Sequence, residues 1–137
     1  MIVDYSNERH RTAVIDLWIT VFGYDSARND PALSIDKKRV LEDGLFWVVE
    51  VERQVAGTLM AGYDGHRGWL YSLAVREEYR GRGLASQLVS HAEAILKERG
   101  CVKVNLQIVE GNRGVESFYR NLGFATEPRI SMGKELL

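Results

Sequence analysis

The chain has 137 residues, of which 45% are hydrophobic and 27% charged, with two prolines. This composition is typical of one folded domain and excludes a disordered or collagen-like chain. The 18 basic and 19 acidic residues give a net charge of −1. No overall positive field is therefore available to hold a nucleic acid or an anionic membrane, and any anion must be bound locally.

The sequence predicts neither a membrane span nor a metal site. The longest apolar run, residues 45–49, is far shorter than the about 20 residues of a membrane-spanning helix. The first residues lack the apolar core of a secretory signal, so we expect a cytoplasmic protein. The single cysteine, Cys101, cannot close an internal disulfide, and the three histidines show no zinc-ligand spacing.

The first elements in the chain are a short strand and two helices. Residues 2–5 predict the strand, after which Ser6 or Asn7 is expected to cap a helix. After a polar break, a second helix is expected to begin at its cap, Ser34, and to end at Gly44. The first helix carries one apolar stripe at helical spacing, formed by Val14, Leu17, Trp18, Val21 and Phe22.

Three strands and a long helix follow. Residues 45–51 and 55–63 are rich in aromatic and β-branched residues and predict a β-hairpin, and residues 69–75 predict the next antiparallel strand. From Leu84 the apolar residues recur with period 3.6, which predicts a helix that ends near Gly100.

The last third predicts a strand, a helix and further strands. Residues 102–109 alternate in polarity, and because a helix connects them to residues 69–75, the two strands should be parallel neighbours. A helix over residues 112–122 is followed by extended segments at 124–127 and 130–136. The element order predicts one mixed α/β domain over residues 1–137 with a largely antiparallel sheet.

The turn before the long helix has the composition of an anion site. Gly81 and Gly83 allow close backbone approach, and the helix N-terminus adds a partial positive charge. Arg80 and Arg82 can bond phosphate oxygens. The alternative is a solvated, glycine-rich turn. The segment reads Arg76-Glu77-Glu78-Tyr79-Arg80-Gly81-Arg82-Gly83-Leu84-Ala85.

A dinucleotide-binding Rossmann unit is the alternative interpretation of these glycines. Three features argue against it. Residues 76–80 separate the strand from the first glycine, the third glycine of the fingerprint is replaced by Ser86, and the preceding strands are typical of hairpins rather than βαβ units.

Asn112 and Tyr119 form a second candidate pair. Their spacing of two helical turns places an amide and a phenol on one helix face, where the tyrosine can donate a proton. The alternative is structural, with Asn112 as a helix cap and Tyr119 as ordinary packing beside Phe118.

In their order and spacing, these segments resemble the GNAT acetyltransferase superfamily over residues 45–126. The residues that carry the resemblance are Leu73-Ala74-Val75, the segment 79–85, Asn112, Phe118-Tyr119 and Leu122-Gly123-Phe124. Residues 29–31 and 63–68 also resemble the bacterial YpeA-like branch. The resemblance implies a single GNAT-like domain with a splayed parallel central strand pair and helices on both faces, and the predicted element order gives its sheet six to seven strands.

The resemblance also implies acetyl-CoA as co-substrate and no metal. The pyrophosphate would lie on the backbone of Arg80, Gly81, Arg82, Gly83, Leu84 and Ala85, and the pantetheine beside Leu73, Ala74 and Val75, where Asn112 would bond it. A backbone N–H near Val75 would stabilise the oxyanion, and Tyr119 would protonate the thiolate as an amine attacks directly. Cys101 is then expected in the core rather than as a nucleophile.

The acceptor and the general base are left open. The expected acceptor is a primary amine of a small molecule, protein or peptide. Glu50, Asp64 and Glu110 are candidate bases with no preference among them, and Tyr71 is a weaker candidate. Asp25, Arg28, Asn29 and Asp30 lie in a loop that in this superfamily often borders the acceptor.

Two further alternatives concern the function of the whole protein. One is a non-catalytic acyl-CoA-binding sensor or subunit, and another is a purely structural interaction module, which the clustered arginines and glycines disfavour. An exposed final strand offers a route to a homodimer.

Overall fold

The computed structural model describes residues 1–23 and 29–136. The chain divides into two compact units, Met1–Gln107 and Ile108–Leu137. In chain order the first contains β1 (Ile2–Asp4), α1 (Asn7–Phe22), α2 (Pro31–Leu41), β2 (Phe46–Val51), β3 (Gln54–Tyr63), β4 (Gly68–Val75), a short 3-10 helix (Glu77–Tyr79), α3 (Leu84–Glu98) and β5 (Val104–Asn105), and the second contains α4 (Arg113–Asn121).

The strands form one sheet in the order β1-β2-β3-β4-β5. The first three pairings are antiparallel, and β4 pairs with β5 in parallel. This topology confirms the predicted mixed α/β class and its parallel strand pair. The antiparallel strands that precede the glycine-rich loop are not βαβ units, which agrees with the argument against a Rossmann fold.

The predicted count of six to seven strands is wrong for the residues that the structure describes, which form five. Residues 124–127 and 130–136 contain no strand, and the predicted strand at 102–109 is reduced to β5, with Val102 92% exposed. Alternating polarity indicates the two faces that a segment would present, whereas a strand also needs a backbone partner from elsewhere in the chain.

Helix α1 begins as predicted, because the Ser6 side chain accepts a hydrogen bond from the backbone of Arg9. The prediction that Ser34 caps α2 is wrong. Asp30 is the cap, its Oδ1 accepting from the Ala32 N–H at 3.1 Å, and Pro31 follows at the first helical position. An Asp-Pro pair supplies both a side-chain acceptor and a preset φ, so the helix starts earlier than the apolar pattern indicates.

The sheet buries side chains on both faces, as predicted. On one face Phe46 and Val48 pack with Leu17 of α1 and Ile35 of α2 in one buried cluster. On the other face the ring of Trp47 meets His91 of α3 edge to face, with centroids 5.4 Å apart. Helices α1 and α2 therefore lie on one side of the sheet and α3 on the other.

Candidate functional site

The loop between β4 and α3 carries the predicted anion site. The short 3-10 helix follows β4, and then Gly81 and Gly83 adopt left-handed φ values of +79° and +76°. Gly83 is the N-cap of α3, and no side chain caps this end of the helix. The first-turn N–H groups, which no intrahelical carbonyl can satisfy, are therefore left for water or a ligand.

Three arginines near this loop have different surroundings. Arg76 is tied to the scaffold, because its guanidinium donates to the carbonyl oxygens of Val55 and Ala13 at 3.0 and 3.2 Å. The exposed Arg80 donates through Nε to the Val75 carbonyl at 3.2 Å, and its terminal nitrogens extend beyond that bond. The exposed Arg82 has its guanidinium carbon 5.2 Å from the centre of the Tyr79 ring.

These features fit a polyanion such as a pyrophosphate. Two left-handed glycines let the backbone approach a ligand without a side chain in the way, and space around Gly81 is open. The uncapped start of α3 supplies N–H donors, while Arg80 and Arg82 supply exposed positive charge.

Strand β4 contains a bulge that the sequence did not predict. Thr58 pairs with Ala74 and Met60 with Tyr71, so two residues of β4, Ser72 and Leu73, stand opposite one residue of β3. Ser72 has a left-handed φ of +57°. A bulge leaves one residue out of the backbone ladder and redirects the strand.

The bulge coincides with the predicted pantetheine strand. Ala74 is buried, and Leu73 and Val75 are half-buried. On the opposite edge of β4, the pairing with β5 consists of Gly68 with Val104 and Trp69 with Asn105. Within the described residues, β4 therefore has no strand partner on that edge beyond Trp69.

In the second unit, Asn112 and Tyr119 lie at the two ends of α4. Asn112 is the N-cap, and its Oδ1 accepts from the Val115 N–H at 3.2 Å. Tyr119 is 6% exposed, and its ring packs edge to face against Phe118 and Phe124 with centroids 5.0 and 5.3 Å away. Burial raises the pKa of the Tyr119 phenol to about 12. The phenol is thus fully protonated at neutral pH.

Two of the candidate general bases are already engaged. The Glu50 carboxylate lies 3.0 Å from His10 Nε2 and 2.8 Å from Arg9, and the hydrogen bond with His10 is the main cause that lowers its pKa. The backbone N–H groups of Arg67 and His66 lower the pKa of Asp64. A carboxylate stabilised in its charged form is a weak base, so neither suits this role.

The other predicted residues are less constrained. Glu110 is exposed, and Tyr71 is 41% exposed with the Lys38 ammonium 5.4 Å from its ring centre.

Asp25 and Arg28 lie outside the described residues. Asn29 belongs to the described part, and Asp30 serves as the cap of α2. Cys101 is buried, as expected, with Sγ 3.2 Å from the Lys103 carbonyl oxygen.

Sequence comparison identifies the family. A model of the acetyltransferase (GNAT) family matches residues 11–124. An acetyltransferase of Yersinia pestis (strain Pestoides F) is 43% identical over 109 residues, which are 80% of this chain and 77% of that protein. An acetyltransferase of Pectobacterium atrosepticum is 42% identical over 127 residues, 91% of this chain and 88% of that protein.

Solved structures share the fold. A structure described as a transcriptional regulator from Bacillus halodurans superposes with a TM-score of 0.79 at 21% identity, covering 99% of both chains. An N-acetyltransferase from Thermoplasma acidophilum, solved in complex with coenzyme A, superposes with a TM-score of 0.75 at 19% identity, covering 95% of this chain and 92% of that one.

The chain therefore belongs to the acetyltransferase (GNAT) family, and the prediction of an enzyme of the N-acetyltransferase class is confirmed.

Each helix within residues 1–23 and 29–136 is too short or too polar to span a membrane. The same residues contain no cluster of three or more histidine, cysteine, aspartate or glutamate side chains placed to hold a metal ion.

Proposed function

We propose that this protein transfers an acetyl group from acetyl-CoA to a primary amine of a small molecule or peptide. The observation that carries the proposal is the start of α3, where a left-handed glycine forms an N-cap without a capping side chain. With Arg80 and Arg82 beside it, this helix end suits the pyrophosphate of coenzyme A. The coenzyme A complex of the Thermoplasma fold relative supports the choice of ligand.

The residues proposed to hold the donor are those expected from the sequence. Arg80, Gly81, Arg82, Gly83, Leu84 and Ala85 would hold the pyrophosphate, and Leu73, Ala74 and Val75 would border the pantetheine. Asn112 uses its Oδ1 for the helix cap, so its amide nitrogen is available to donate. When bound, acetyl-CoA supplies an acyl group activated as a thioester.

Tyr119 is the residue proposed to act as general acid. The phenol is protonated at neutral pH, as an ordinary tyrosine is, and burial, which raises its pKa to about 12, makes it a weaker acid than a free tyrosine. We propose that it gives this proton to the leaving group, while the bulge in β4 supplies a backbone N–H for the developing negative charge. Glu50 and Asp64 are not assigned as bases because their carboxylates are already hydrogen-bonded.

A transfer assay tests the proposal. Purified protein is incubated with acetyl-CoA and a panel of primary amines, and both free thiol and acetylated amine are measured. We expect turnover with at least one amine, and a lower kcat for Tyr119→Phe with little change in CoA affinity. Tyr63→Phe is the control, because Tyr63 is the last residue of β3 and is not among the residues proposed to bind the donor. Binding of CoA without turnover of any amine would favour a non-catalytic acyl-CoA sensor.

The cellular setting stays a prediction. A cytoplasmic location and a homodimer are expected from the sequence, but residues 130–136 form no strand, so a homodimer would need a surface other than the predicted final strand. Gel filtration and cell fractionation test them directly.

A further inference from the structure

A cavity of about 240 Å³ opens between α2 and the bulge of β4. Its walls are side chains of α2 and of the two central strands, namely Ser34, Lys37, Lys38, Leu41, Met60, Tyr71 and Ser72. Pockets for drug-sized ligands are about 300–1,000 Å³, so this one suits a smaller molecule. A larger cavity of about 340 Å³ borders Arg76 and Arg80 and thus adjoins the proposed pyrophosphate loop.

The smaller cavity reaches the strand segment proposed for the chemistry. Tyr71 and Ser72 line it; Ser72 belongs to the bulge of β4, and Tyr71 directly precedes it. Tyr71 presents an exposed phenol there, and Ser72 lies directly before Leu73. A molecule in this cavity would lie beside the backbone proposed to bind the acetyl group.

The cavity wall is cationic. It contains two lysines and, among the described residues, no carboxylate. The ammonium of Lys38 is already compensated, since it donates to Asp43 at 2.8 Å and to the Ala61 carbonyl. Lys37 is exposed, and no described residue forms an ion pair with it. Its neighbour Asp36 is bonded to Arg11 at 2.7 Å.

We infer that this cavity binds the acetyl acceptor, and that the acceptor is a small primary amine carrying a carboxylate or a phosphate. This inference rests on the proposed acetyl transfer. The anionic group pairs with Lys37, and Ser34 and Tyr71 supply hydrogen bonds. Met60 and Leu41 contact the carbon skeleton.

Matched pairs of amines test the inference. One arm compares α-amino acids with their amides, and the other compares glucosamine 6-phosphate with glucosamine. In at least one arm, we expect the anionic member to be acetylated with a kcat/KM at least about tenfold higher, a difference of about 1.4 kcal/mol. The arm that shows the preference identifies carboxylate or phosphate as the recognised group.

Variants assign the preference to Lys37. We expect Lys37→Gln to reduce the preference for the anionic amine about tenfold, through a change in KM. Lys37→Arg should retain most of this preference. Lys97→Gln, in the last turn of α3, is the matched control for loss of one exposed lysine. A preference for the neutral members, or an unchanged preference in Lys37→Gln, would overturn the inference.

A binding measurement separates this inference from the proposed function. NMR titration of the same amines without acetyl-CoA should shift the backbone signals of Tyr71, Ser72 and α2 with the anionic members, and less so in Lys37→Gln. These shifts without turnover would support the anion site and contradict acetyl transfer. Turnover without these shifts would support acetyl transfer and overturn this choice of cavity.

Discussion

The indole of Trp18 in α1 donates a 2.8 Å hydrogen bond to the hydroxyl of Thr58 in β3, and both side chains are buried. The same hydroxyl donates to the Ser72 carbonyl at 3.0 Å. This chain of hydrogen bonds connects α1 to the bulge of β4, where Ser72 has a left-handed φ that costs an L-residue about 1–2 kcal/mol. Thr58 therefore positions the bulge.

Replacement of Thr58 by valine should destabilise the fold. The variant keeps the shape of the side chain but leaves the buried Trp18 N–H and the Ser72 carbonyl without their partner, at a cost of about 1–3 kcal/mol. Urea denaturation measures this difference. Thr58→Ser retains the hydroxyl and is the control. If the valine variant were as stable as the serine variant, the hydrogen bonds would not hold the bulge.

Replacement of Arg82 by glutamate should weaken CoA binding at least about tenfold, or about 1.4 kcal/mol, because it places a like charge beside the pyrophosphate. Calorimetry with CoA measures the affinity. Lys97→Glu makes the same charge change at the other end of α3 and should leave the affinity within about twofold. Equal affinities for Arg82→Glu and the parent would refute the phosphate-loop assignment.

Burial of Tyr119 predicts a loss of stability at high pH. Its folded-state pKa of about 12 lies above the ordinary tyrosine value of about 10. The stabilisation is therefore complete below pH 10 and is lost as the pH rises towards 12, because the unfolded chain releases this proton first. It amounts to at most about 3 kcal/mol. Urea denaturation of the parent and of Tyr119→Phe should show a difference in unfolding free energy that changes only between about pH 10 and pH 12.

The buried ammonium of Lys38 predicts that its partner Asp43 is needed for stability. Asp43→Ala would leave the cation poorly compensated and should cost about 2–3 kcal/mol, since breaking a buried pair is worse than replacing it. Lys38→Met/Asp43→Ala removes both charges and should be more stable than Asp43→Ala alone. Urea denaturation compares the two. The reverse order would indicate that Lys38 contributes mainly through its packing.

Much of the fold could be predicted because its determinants are local. The stripe of α1 and the glycines before α3 each act within a few residues. The predicted cap of α2, Ser34, lies inside the helix, whereas the actual cap, Asp30, directly precedes it.

The missed features depend on distant partners. The bulge at Ser72 exists as a register shift between β3 and β4, and the hydrogen bond from Thr58 that supports it spans 14 residues. The acceptor cavity is formed where α2 meets β4. In the sequence Lys37 is an ordinary exposed helix residue, and nothing near it indicates that it lines a cavity. Strand formation at 102–109 and 124–136 was overestimated for the same reason, since pairing is not encoded in alternation.

The most direct measurement is the thermal unfolding midpoint in the presence of acetyl-CoA, CoA or NADH. A ligand that binds only the folded protein raises this midpoint. We predict an increase with both CoA species, no increase with NADH, and a smaller increase with CoA for Arg82→Glu than for the parent. An unchanged midpoint at saturating CoA would contradict the assignment of residues 80–85 as the pyrophosphate site and, with it, the proposed acetyl transfer.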